Sequence, residues 1–352
     1  MGIFKKIDNT RRKVMRKLAK NIGTSQVNKP IKLDGKKIEI KRVLISRPND
    51  RLGNLLLITP LLQEVIATFP DCKIDMFVRG GLAPALFKNY QNVDQIINLP
   101  RKPFKELLKY MLVWVNVKKH RYDIAINVVK YSSSGRLSCQ VATSRFKFFG
   151  DDDDMDTQTV GADYQHIAKQ PVYSFRNYVT KLGFAKSNAP VPPLNLKLTT
   201  EELAHGKTIV DGLVHDTTKK TICLFTYATG RKCYSTEWWA AFYGKLKTEF
   251  PDYNFLEVLP KENVSQINFV EPAFDSGNVR HIGAVIKNTA IFIGADSGIM
   301  HLASAAGATT VGLFHYTNTK IYEPYNDNSV AIDTNFGTVN DWVEVVRERL
   351  KH

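Results

Sequence analysis

One strand-turn-helix segment near the C-terminus limits most strongly what this chain can fold into. Residues 291–293 form the apolar, β-branched run of a buried parallel strand, and we expect Gly294 to let the backbone turn after it. Asp296 or Ser297 can cap the helix that follows. Gly298 leaves the first amides of that helix uncovered, and such amides, with a helix dipole of about half a positive charge, favour phosphate or diphosphate. The alternative is that Asp296 and Ser297 only cap a structural helix.

The chain as a whole alternates strands and helices in two similar halves. The first half contains strand candidates at residues 43–46, 73–78, 95–99, 123–128 and 146–149, and helix candidates at residues 54–69 and 104–119. The second half contains strand candidates at residues 221–226, 254–258, 291–293 and 309–314, and helix candidates near residues 200–214, 236–250, 279–287 and 339–350. This alternation predicts an α/β protein of two Rossmann-like, doubly wound parallel-sheet domains that face a cleft. We place these domains at residues 41–190 and 191–352, on either side of a Pro-rich linker.

A longer motif surrounds the turn, over residues 280–314. It reads His-Ile-Gly-Ala-Val-Ile-Lys-Asn-Thr-Ala before the strand, Asp-Ser-Gly-x-x-His-Leu-Ala-x-Ala-x-Gly from Asp296 to the expected C-cap Gly307, and Thr-Val-Gly-Leu-Phe after it. The motif closely resembles the C-terminal signature of family 9 glycosyltransferases, the ADP-heptose heptosyltransferase family. The resemblance implies a GT-B fold and transfer of a sugar from a nucleotide diphosphate donor, with inversion and without a metal.

A second loop suited to phosphate follows the first strand candidate of the second half. It reads Thr229-Gly230-Arg231-Lys232, with two adjacent cations between a glycine and the next helix. By the resemblance, Lys232 neutralises the leaving diphosphate in place of a magnesium ion. The alternative for Arg231 and Lys232 is that they are solvated loop cations.

Five further residues complete the expected donor site. By the resemblance, Asp296 lies near the donor diphosphate or ribose, and the amides of Ser297 and Gly298 bind the diphosphate. His301, one turn into the helix, either reaches the donor or packs in the core. Glu262 follows the next strand candidate, at a position where folds of this class contact a ribose hydroxyl.

The first strand candidate ends in a polar loop that, by the resemblance, carries the catalytic base. Asp50 and Gly53 match the family pattern Asp-x-x-Gly-Asp, and residues 59–60 match the Thr-Pro that follows it. Asn54 stands where the family has the second Asp, and a carboxamide cannot accept a proton from the acceptor hydroxyl. We assign Asp50 and Asn54 to the catalytic site. Three hypotheses stay open: Asp50 is the base, another acid is the base, or the chain is a catalytically weak homologue.

The acceptor side and the cofactor requirement are less marked in the sequence. Arg136 and Arg145, around a Ser-rich turn, are candidates for binding a phosphorylated or acidic glycan. The acidic run at residues 151–156 is interpreted as a surface loop, because no buried strand flanks it as an ordered metal site would require. The four cysteines have no metal-ligand spacing. We therefore predict no metal and no cofactor, with the nucleotide sugar as a substrate.

The positive charge of the chain is concentrated at its N-terminus. Residues 1–42 hold fourteen Lys and Arg and three Asp and Glu, so eleven of the fifteen net positive charges lie there. We predict that residues 1–40 are a basic amphipathic extension that binds an anionic membrane surface, where each basic residue contributes about 1 kcal/mol. The alternative is a solvated tail. Nucleic-acid binding is not expected, because Phe4 is the only aromatic residue of this extension that could stack on a base.

These patterns converge on a function. The sequence has neither a cleavable signal pattern nor an apolar run of about 18 residues, which a membrane span requires. With the basic extension, this leads us to expect a cytoplasmic protein that is peripheral on the inner membrane face. The resemblance implies an enzyme that moves heptose from ADP-heptose to lipopolysaccharide or a related glycan. Two alternatives are kept: a weak homologue that binds nucleotide sugar or glycan as a sensor or scaffold, and a basic-tail binder of nucleic acid or another anionic polymer.

Overall fold

The computed structural model shows two α/β units, each built on one parallel β-sheet. It describes residues 23, 25, 38–101, 105–151, 161 and 163–351. The first unit contains the described residues of Met1–Asp50, Pro60–Tyr164 and Ala168–Pro192, and the second contains those of Arg51–Thr59, Gln165–Ile167 and Pro193–His352. Most of the predicted N-terminal extension and of the acidic run lies outside the described residues. The predicted domain bounds stay a prediction.

Strands and helices alternate through most of this described chain. In chain order the elements are β1 (Arg42–Ser46), α1 (Leu52–Leu56), α2 (Thr59–Thr68), β2 (Lys73–Arg79), α3 (Ala83–Phe87), β3 (Val93–Leu99), α4 (Leu107–Lys119), β4 (Arg121–Asn127), α5 (Ser133–Val141), β5 (Thr143–Phe148) and α6 (Gln170–Lys181). They continue with α7 (Thr200–Leu213), β6 (Thr221–Phe225), a 3₁₀ turn (Gly230–Lys232), α8 (Thr236–Glu249), β7 (Asn254–Val258), β8 (Ala273–Phe274), α9 (Val279–Lys287), β9 (Ile291–Ala295), α10 (Gly298–Ala305), β10 (Thr310–Phe314), α11 (Thr319–Tyr322), β11 (Val330–Asp333) and α12 (Val339–Leu350). Among the residues described, no helix combines the length and the apolar character needed to cross a membrane.

The first unit contains a five-stranded sheet with the strand order β3-β2-β1-β4-β5, and its strand pairs are parallel. Val43 on β1 lies opposite Ile74 and Ile124 on the two neighbouring strands, and all three side chains are buried. Apolar runs of this kind are typical of parallel strands that are covered on both faces. Arg176 on α6 donates to both carboxylate oxygens of Glu64 on α2, at 2.7 and 2.8 Å, so a buried ion pair joins these helices.

The second unit contains a six-stranded sheet with the strand order β11-β10-β9-β6-β7-β8, again with parallel pairs. Its register aligns Gly294 of β9 with Phe225 of β6 and with Gly312 of β10. Trp239 on α8 and Trp342 on α12 belong to the apolar core that packs against these strands. The carboxyl ends of β6, β9 and β10 therefore meet at one edge of the sheet, which is where doubly wound folds bind ligands.

The two parallel-sheet α/β domains predicted from the alternation are confirmed. The single helix predicted over residues 54–69 is wrong, because the chain forms the two helices α1 and α2 there. Pro60 explains the break, since it has no amide hydrogen and is tolerated only in the first turn of a helix, as it is in α2. The elements α3, α5, β8, α11 and β11 were not predicted. All of these except α5 have two to five residues, which is too few for a distinct periodicity.

Candidate functional site

The turn after β9 leads into a capped helix with two unpaired amides. Ser297 Oγ accepts a hydrogen bond from the Met300 amide at 3.2 Å, and Gly307 follows the end of α10 with a φ of 77°. The predicted cap at Ser297 and the predicted helix end at Gly307 are thus confirmed. Within the described residues, the half-buried Gly298 and Ile299 make no hydrogen bond through their amides. Unpaired amides at a helix start are a general anion-binding arrangement.

The prediction that Gly294 makes this turn is wrong. Gly294 lies inside β9, where a Cβ atom would be 3.0 Å from the carbonyl oxygen of Phe225. Glycine at this position therefore permits the close approach of β6 and β9. The turn itself begins at Asp296, whose amide donates to the Leu313 carbonyl of β10 at 3.1 Å.

Asp296 gathers side chains from three neighbouring strand ends. Its Oδ2 atom accepts a hydrogen bond from Lys232 Nζ at 3.0 Å and another from Thr317 Oγ1 at 2.6 Å. Asp296 is only 4% exposed, whereas the Lys232 side chain is 31% exposed. Because the carboxylate is buried and accepts two donors, it holds the Lys232 ammonium in one place while leaving part of it open to solvent.

His301 lies one turn into α10 as a neutral, buried imidazole. Burial lowers the pKa of His301 to about 4, and its Nε2 atom is 4.0 Å from Asp296 Oδ1, so this contact is not an ion pair at neutral pH. Its Nδ1 atom is buried and has no hydrogen-bond partner among the described residues. A Cβ atom on Gly53 of α1 would lie 2.8 Å from Cδ2 of His301. Glycine at position 53 therefore allows α1 to lie directly against this ring.

The loop between β6 and α8 is fastened to the loop after β10. Arg231 lies with its guanidinium 4.5 Å from the centre of the Tyr316 ring, and its carbonyl oxygen is 2.8 Å from His315 Nε2. Thr229 is exposed and precedes the 3₁₀ turn, which starts at Gly230 with a φ of 66°. Arg231 is therefore a positioned side chain and not a freely solvated one.

Glu262 lies in an exposed turn after β7, where the Asn263 amide donates to the Pro260 carbonyl at 2.9 Å. No hydrogen bond or ion pair of the described chain joins Glu262 to Asp296 or Lys232. Its predicted contact with a ribose stays a prediction.

The two predicted catalytic residues belong to different units. Asp50, in the first unit, has its carboxylate 3.0 Å from the guanidinium of Arg101, and both side chains are more than a third exposed. Gly80, with a φ of 82°, gives room for this carboxylate, because a Cβ there would be 2.9 Å from the Asp50 Cβ. Asn54, in the second unit, is half-buried on α1, next to the glycine that contacts His301.

The two arginines predicted to bind the acceptor have different surroundings. Arg136 is 4% exposed and donates to Asp151 Oδ1 at 2.9 Å and to the Lys130 carbonyl at 3.2 Å. This is the environment of a structural arginine, so we leave Arg136 out of the acceptor site proposed below. Arg145 is exposed on the edge strand β5, with its guanidinium 5.0 Å from the centre of the Phe146 ring.

Sequence reasoning missed Thr317, which donates to Asp296, and His166, which acts electrostatically on His301. Thr317 follows β10 by three residues, and the expected adjacency of strand ends was the signal that could have located it. His166 belongs to a short segment of the second unit, is buried, and lies 2.8 Å from the Glu323 carbonyl through Nε2. It left no signal, because its segment is distant in sequence and has no motif. No group of three or more His, Cys, Asp or Glu could hold a metal ion in the part of the chain that the structure describes.

Comparisons with known proteins show what this chain resembles. The model of the family described as Glycosyltransferase family 9 (heptosyltransferase) matches residues 278–351, which contain Asp296, α10 and the C-terminal helix. Lipopolysaccharide heptosyltransferase 3 of Escherichia coli is 20% identical over 297 residues, which is 79% of this chain and 85% of that protein. Residues 278–351 thus match the model of this family, and the chain is similar over most of its length to a heptosyltransferase.

Two similar solved structures show the same fold. The glycosyl transferase family 9 structure from Veillonella parvula DSM 2008 has a TM-score of 0.69 at 16% identity, covering 90% of this chain and 99% of that one. The E. coli heptosyltransferase WaaC, solved with ADP, has a TM-score of 0.63 at 16% identity, covering 88% and 99%. The GT-B architecture predicted from the sequence is thereby confirmed.

Proposed function

We propose that this chain is a family 9 glycosyltransferase that transfers heptose from ADP-heptose to a hydroxyl of lipopolysaccharide or a related glycan, with inversion and without a metal. One observation carries the proposal. Asp296 holds the Lys232 ammonium at the same turn that presents the unpaired amides of Gly298 and Ile299. A fixed cation beside unpaired helix amides suits a leaving diphosphate, which gains negative charge in the transition state.

The proposed reaction is a single displacement. The acceptor oxygen bonds to the anomeric carbon of the sugar while the bond from that carbon to the diphosphate oxygen breaks. The negative charge then lies on ADP, where Lys232 and the helix start can stabilise it, and the acceptor proton passes to a base. A similar structure supports this choice of nucleotide, because the E. coli WaaC protein was solved with ADP and with ADP-2-deoxy-2-fluoro heptose.

His301 is proposed to act in the donor site as a neutral hydrogen-bonding group. As a neutral imidazole it adds no positive charge to the site, and its unpartnered Nδ1 atom is available for a hydrogen bond. A buried, unpaired polar atom is costly unless something pairs with it. We propose that His301 hydrogen-bonds to the donor or to a water bound with it.

The proposed reaction needs a base that takes the proton of the acceptor hydroxyl. Asp50 is our candidate, because its carboxylate is on the loop that matches the family pattern and is partly exposed. Asn54 favours a second candidate function, in which the chain binds nucleotide sugar or glycan and turns over slowly. Removing a general base typically lowers a rate about 10²- to 10⁴-fold, so the two functions differ in rate rather than in ligand.

Two further proposals concern the binding of the acceptor and the cellular location of the protein. We propose that the exposed Arg145 contacts a phosphorylated or acidic part of the glycan. We also keep the proposal that residues 1–40 bind an anionic membrane from the cytoplasmic side, as their charge suggests.

A titration tests the donor site directly. ADP, ADP-heptose, UDP and GDP are titrated by calorimetry into the purified chain, into Lys232→Ala and into Lys245→Ala. Lys245 is a matched control, because its side chain is 35% exposed and is paired with Glu249 at 2.7 Å, away from the proposed site. We expect selective binding of ADP and ADP-heptose, weakened about tenfold or more in Lys232→Ala alone. Absence of nucleotide binding, or equal weakening in both variants, contradicts the proposed donor site.

A further inference from the structure

Helix α4 presents an apolar face to solvent. Five of its side chains are between 56% and 79% exposed, although all are aliphatic or thioether groups: Leu107, Leu108, Met111, Leu112 and Val115. Among the described residues, this helix carries half of the large apolar side chains that are exposed. Single exposed apolar residues are ordinary, whereas a contiguous group of this size marks an interaction surface. We call these five residues the α4 apolar face.

The opposite side of α4 fixes the helix in the first unit. Tyr110, Val113 and Trp114 pack against the unit's core, and the Trp114 ring centre is 5.5 Å from that of Phe77 on β2. Val117 is fully buried. Because the packed side is anchored, the α4 apolar face keeps a fixed direction and is not the result of a helix that has failed to dock.

Cations lie at both ends of the α4 apolar face. Lys105 and Lys109 are exposed at its N-terminal end, and Lys118 and Lys119 are exposed in its last turn. Among the described residues from 105 to 119, Glu106 is the one acid, and it is 3.6 Å from Lys109. Aliphatic groups between lysines are the chemistry of a helix that lies in the surface of an anionic bilayer, with the apolar side chains below the headgroups and the ammonium groups among them.

We propose that the α4 apolar face is a docking surface for an anionic phospholipid bilayer. The 13 residues of α4 measure roughly 20 Å at a rise of about 1.5 Å per residue, which is too short to cross a hydrocarbon core of about 30 Å, so the helix lies parallel to the membrane. A protein partner fits less well, because the exposed centre of such interfaces is enriched in aromatic residues and this face has none. The α4 apolar face belongs to the first unit, whereas Lys232 and Asp296 belong to the second.

Flotation with vesicles measures the binding. The full chain is mixed with vesicles of phosphatidylcholine alone or with phosphatidylglycerol added, and compared with Leu108→Asn/Leu112→Asn and with Phe336→Asn. Phe336 is a matched control, because it is 74% exposed in the second unit. We expect the full chain and Phe336→Asn to float with the anionic vesicles and the double variant to partition about tenfold less. Lys118→Gln/Lys119→Gln should lose part of the preference for anionic over neutral vesicles.

A local probe separates this face from the N-terminal extension. In a Cys233→Ser background, an environment-sensitive fluorophore is attached to Met111→Cys or, as a control, to Val270→Cys, which replaces an exposed side chain of the second unit. The other three cysteines are buried. We expect a blue shift with anionic vesicles for the label at position 111 only.

Two results overturn the proposal. If the chain floats while the label at position 111 stays in a water-like environment, other segments bind the membrane. If the label is already shifted without lipid, and light scattering finds a dimer that Leu108→Asn/Leu112→Asn dissociates, the face is a protein interface.

Discussion

At the scale of single residues, His301 shows how burial sets the charge of the candidate site. The ring is enclosed by α1 and α10, and burial disfavours its protonated form more strongly than Asp296 favours it. Lys232 and His166 add to the effect, because a positive imidazolium would be repelled by them. Lys232 is therefore the cation of the site at neutral pH, and His301 acts as an uncharged hydrogen-bonding group.

The low pKa of His301 predicts a pH-dependent stability. The pKa is about 4 in the folded chain and about 6.5 in an unfolded one, so between these values only the unfolded chain binds the proton. The free energy of unfolding should therefore rise with pH across this window, by about 3 kcal/mol from this residue, and level off above it.

Urea unfolding at several pH values between 4 and 7 measures this contribution. The difference in stability between the wild type and His301→Gln should shrink as the pH falls. Parallel stability curves for the two proteins would show that His301 does not have a depressed pKa.

A second prediction concerns the amide of Asn54. If Asn54 occupies the position of a base, Asn54→Asp supplies the missing carboxylate and should raise the rate of sugar transfer by about 10²-fold or more. Asn54→Ala is the control, since it removes the amide without adding a base. An unchanged rate in Asn54→Asp would assign proton removal to another group, with Asp50→Asn as the variant to measure next.

The sequence predicted Lys232 and Asp296 separately, each from its own loop, but not their contact. That contact depends on β6 and β9 being neighbours in the sheet, which no local pattern reveals. Thr317 was missed for the same reason. The sequence suggested that Arg136 binds the acceptor, because nothing in it shows that this side chain is buried. The burial comes with hydrogen bonds to Asp151 and to the carbonyl of Lys130, and neither contact can be predicted from the residue type.

At the scale of elements, the packing of α1 on α10 determines the shape of the site in the second unit. A Cβ atom on Gly298 would lie 3.2 Å from the Leu52 Cβ, and Gly53 lies against His301. Small residues on both helices allow this close approach. The start of α10 is therefore held by α1 as well as by its own N-cap.

This packing predicts the effect of one added methyl group. Gly53→Ala places a Cβ 2.8 Å from a fully packed ring, so we expect a loss of about 1–3 kcal/mol in the free energy of unfolding and weaker binding of ADP. Gly244→Ala is the control, because an added Cβ there meets nothing within 4 Å and α8 should gain up to about 1 kcal/mol. Thermal or urea unfolding gives both values, and equal effects in the two variants would refute the close packing of α1 on α10.

The ends of helices and strands were predictable where an apolar run stops at a polar loop. They were not predictable where apolar residues continue across the boundary. β9, α9 and α12 begin where the sequence pattern places them. The break between α1 and α2 was missed because Leu55–Leu62 is apolar on both sides of Pro60. Gly294 was wrongly assigned to the turn. Its glycine is needed for the close approach of β6, and a contact between strands that are distant in sequence cannot be read from the local pattern.

At the scale of the whole molecule, two parallel sheets with their helices were predictable from alternation alone. The strand orders were not, because the sequence does not show which strands are neighbours. The α4 apolar face was also missed. From the sequence, α4 reads as an ordinary amphipathic helix, and only its packing shows which apolar side chains the core leaves exposed.

One measurement tests the central claim most directly. The full chain and Lys232→Ala are incubated with ADP-heptose and a lipopolysaccharide core acceptor in the presence of EDTA, and the acceptor is weighed by mass spectrometry while released ADP is quantified. We expect the acceptor to gain one heptose for each ADP released, and Lys232→Ala to transfer far more slowly. If no acceptor gains a heptose and no ADP is released, with EDTA or with added Mg²⁺, the chain does not transfer heptose from ADP-heptose. Transfer that requires Mg²⁺ would contradict the metal-free role assigned to Lys232.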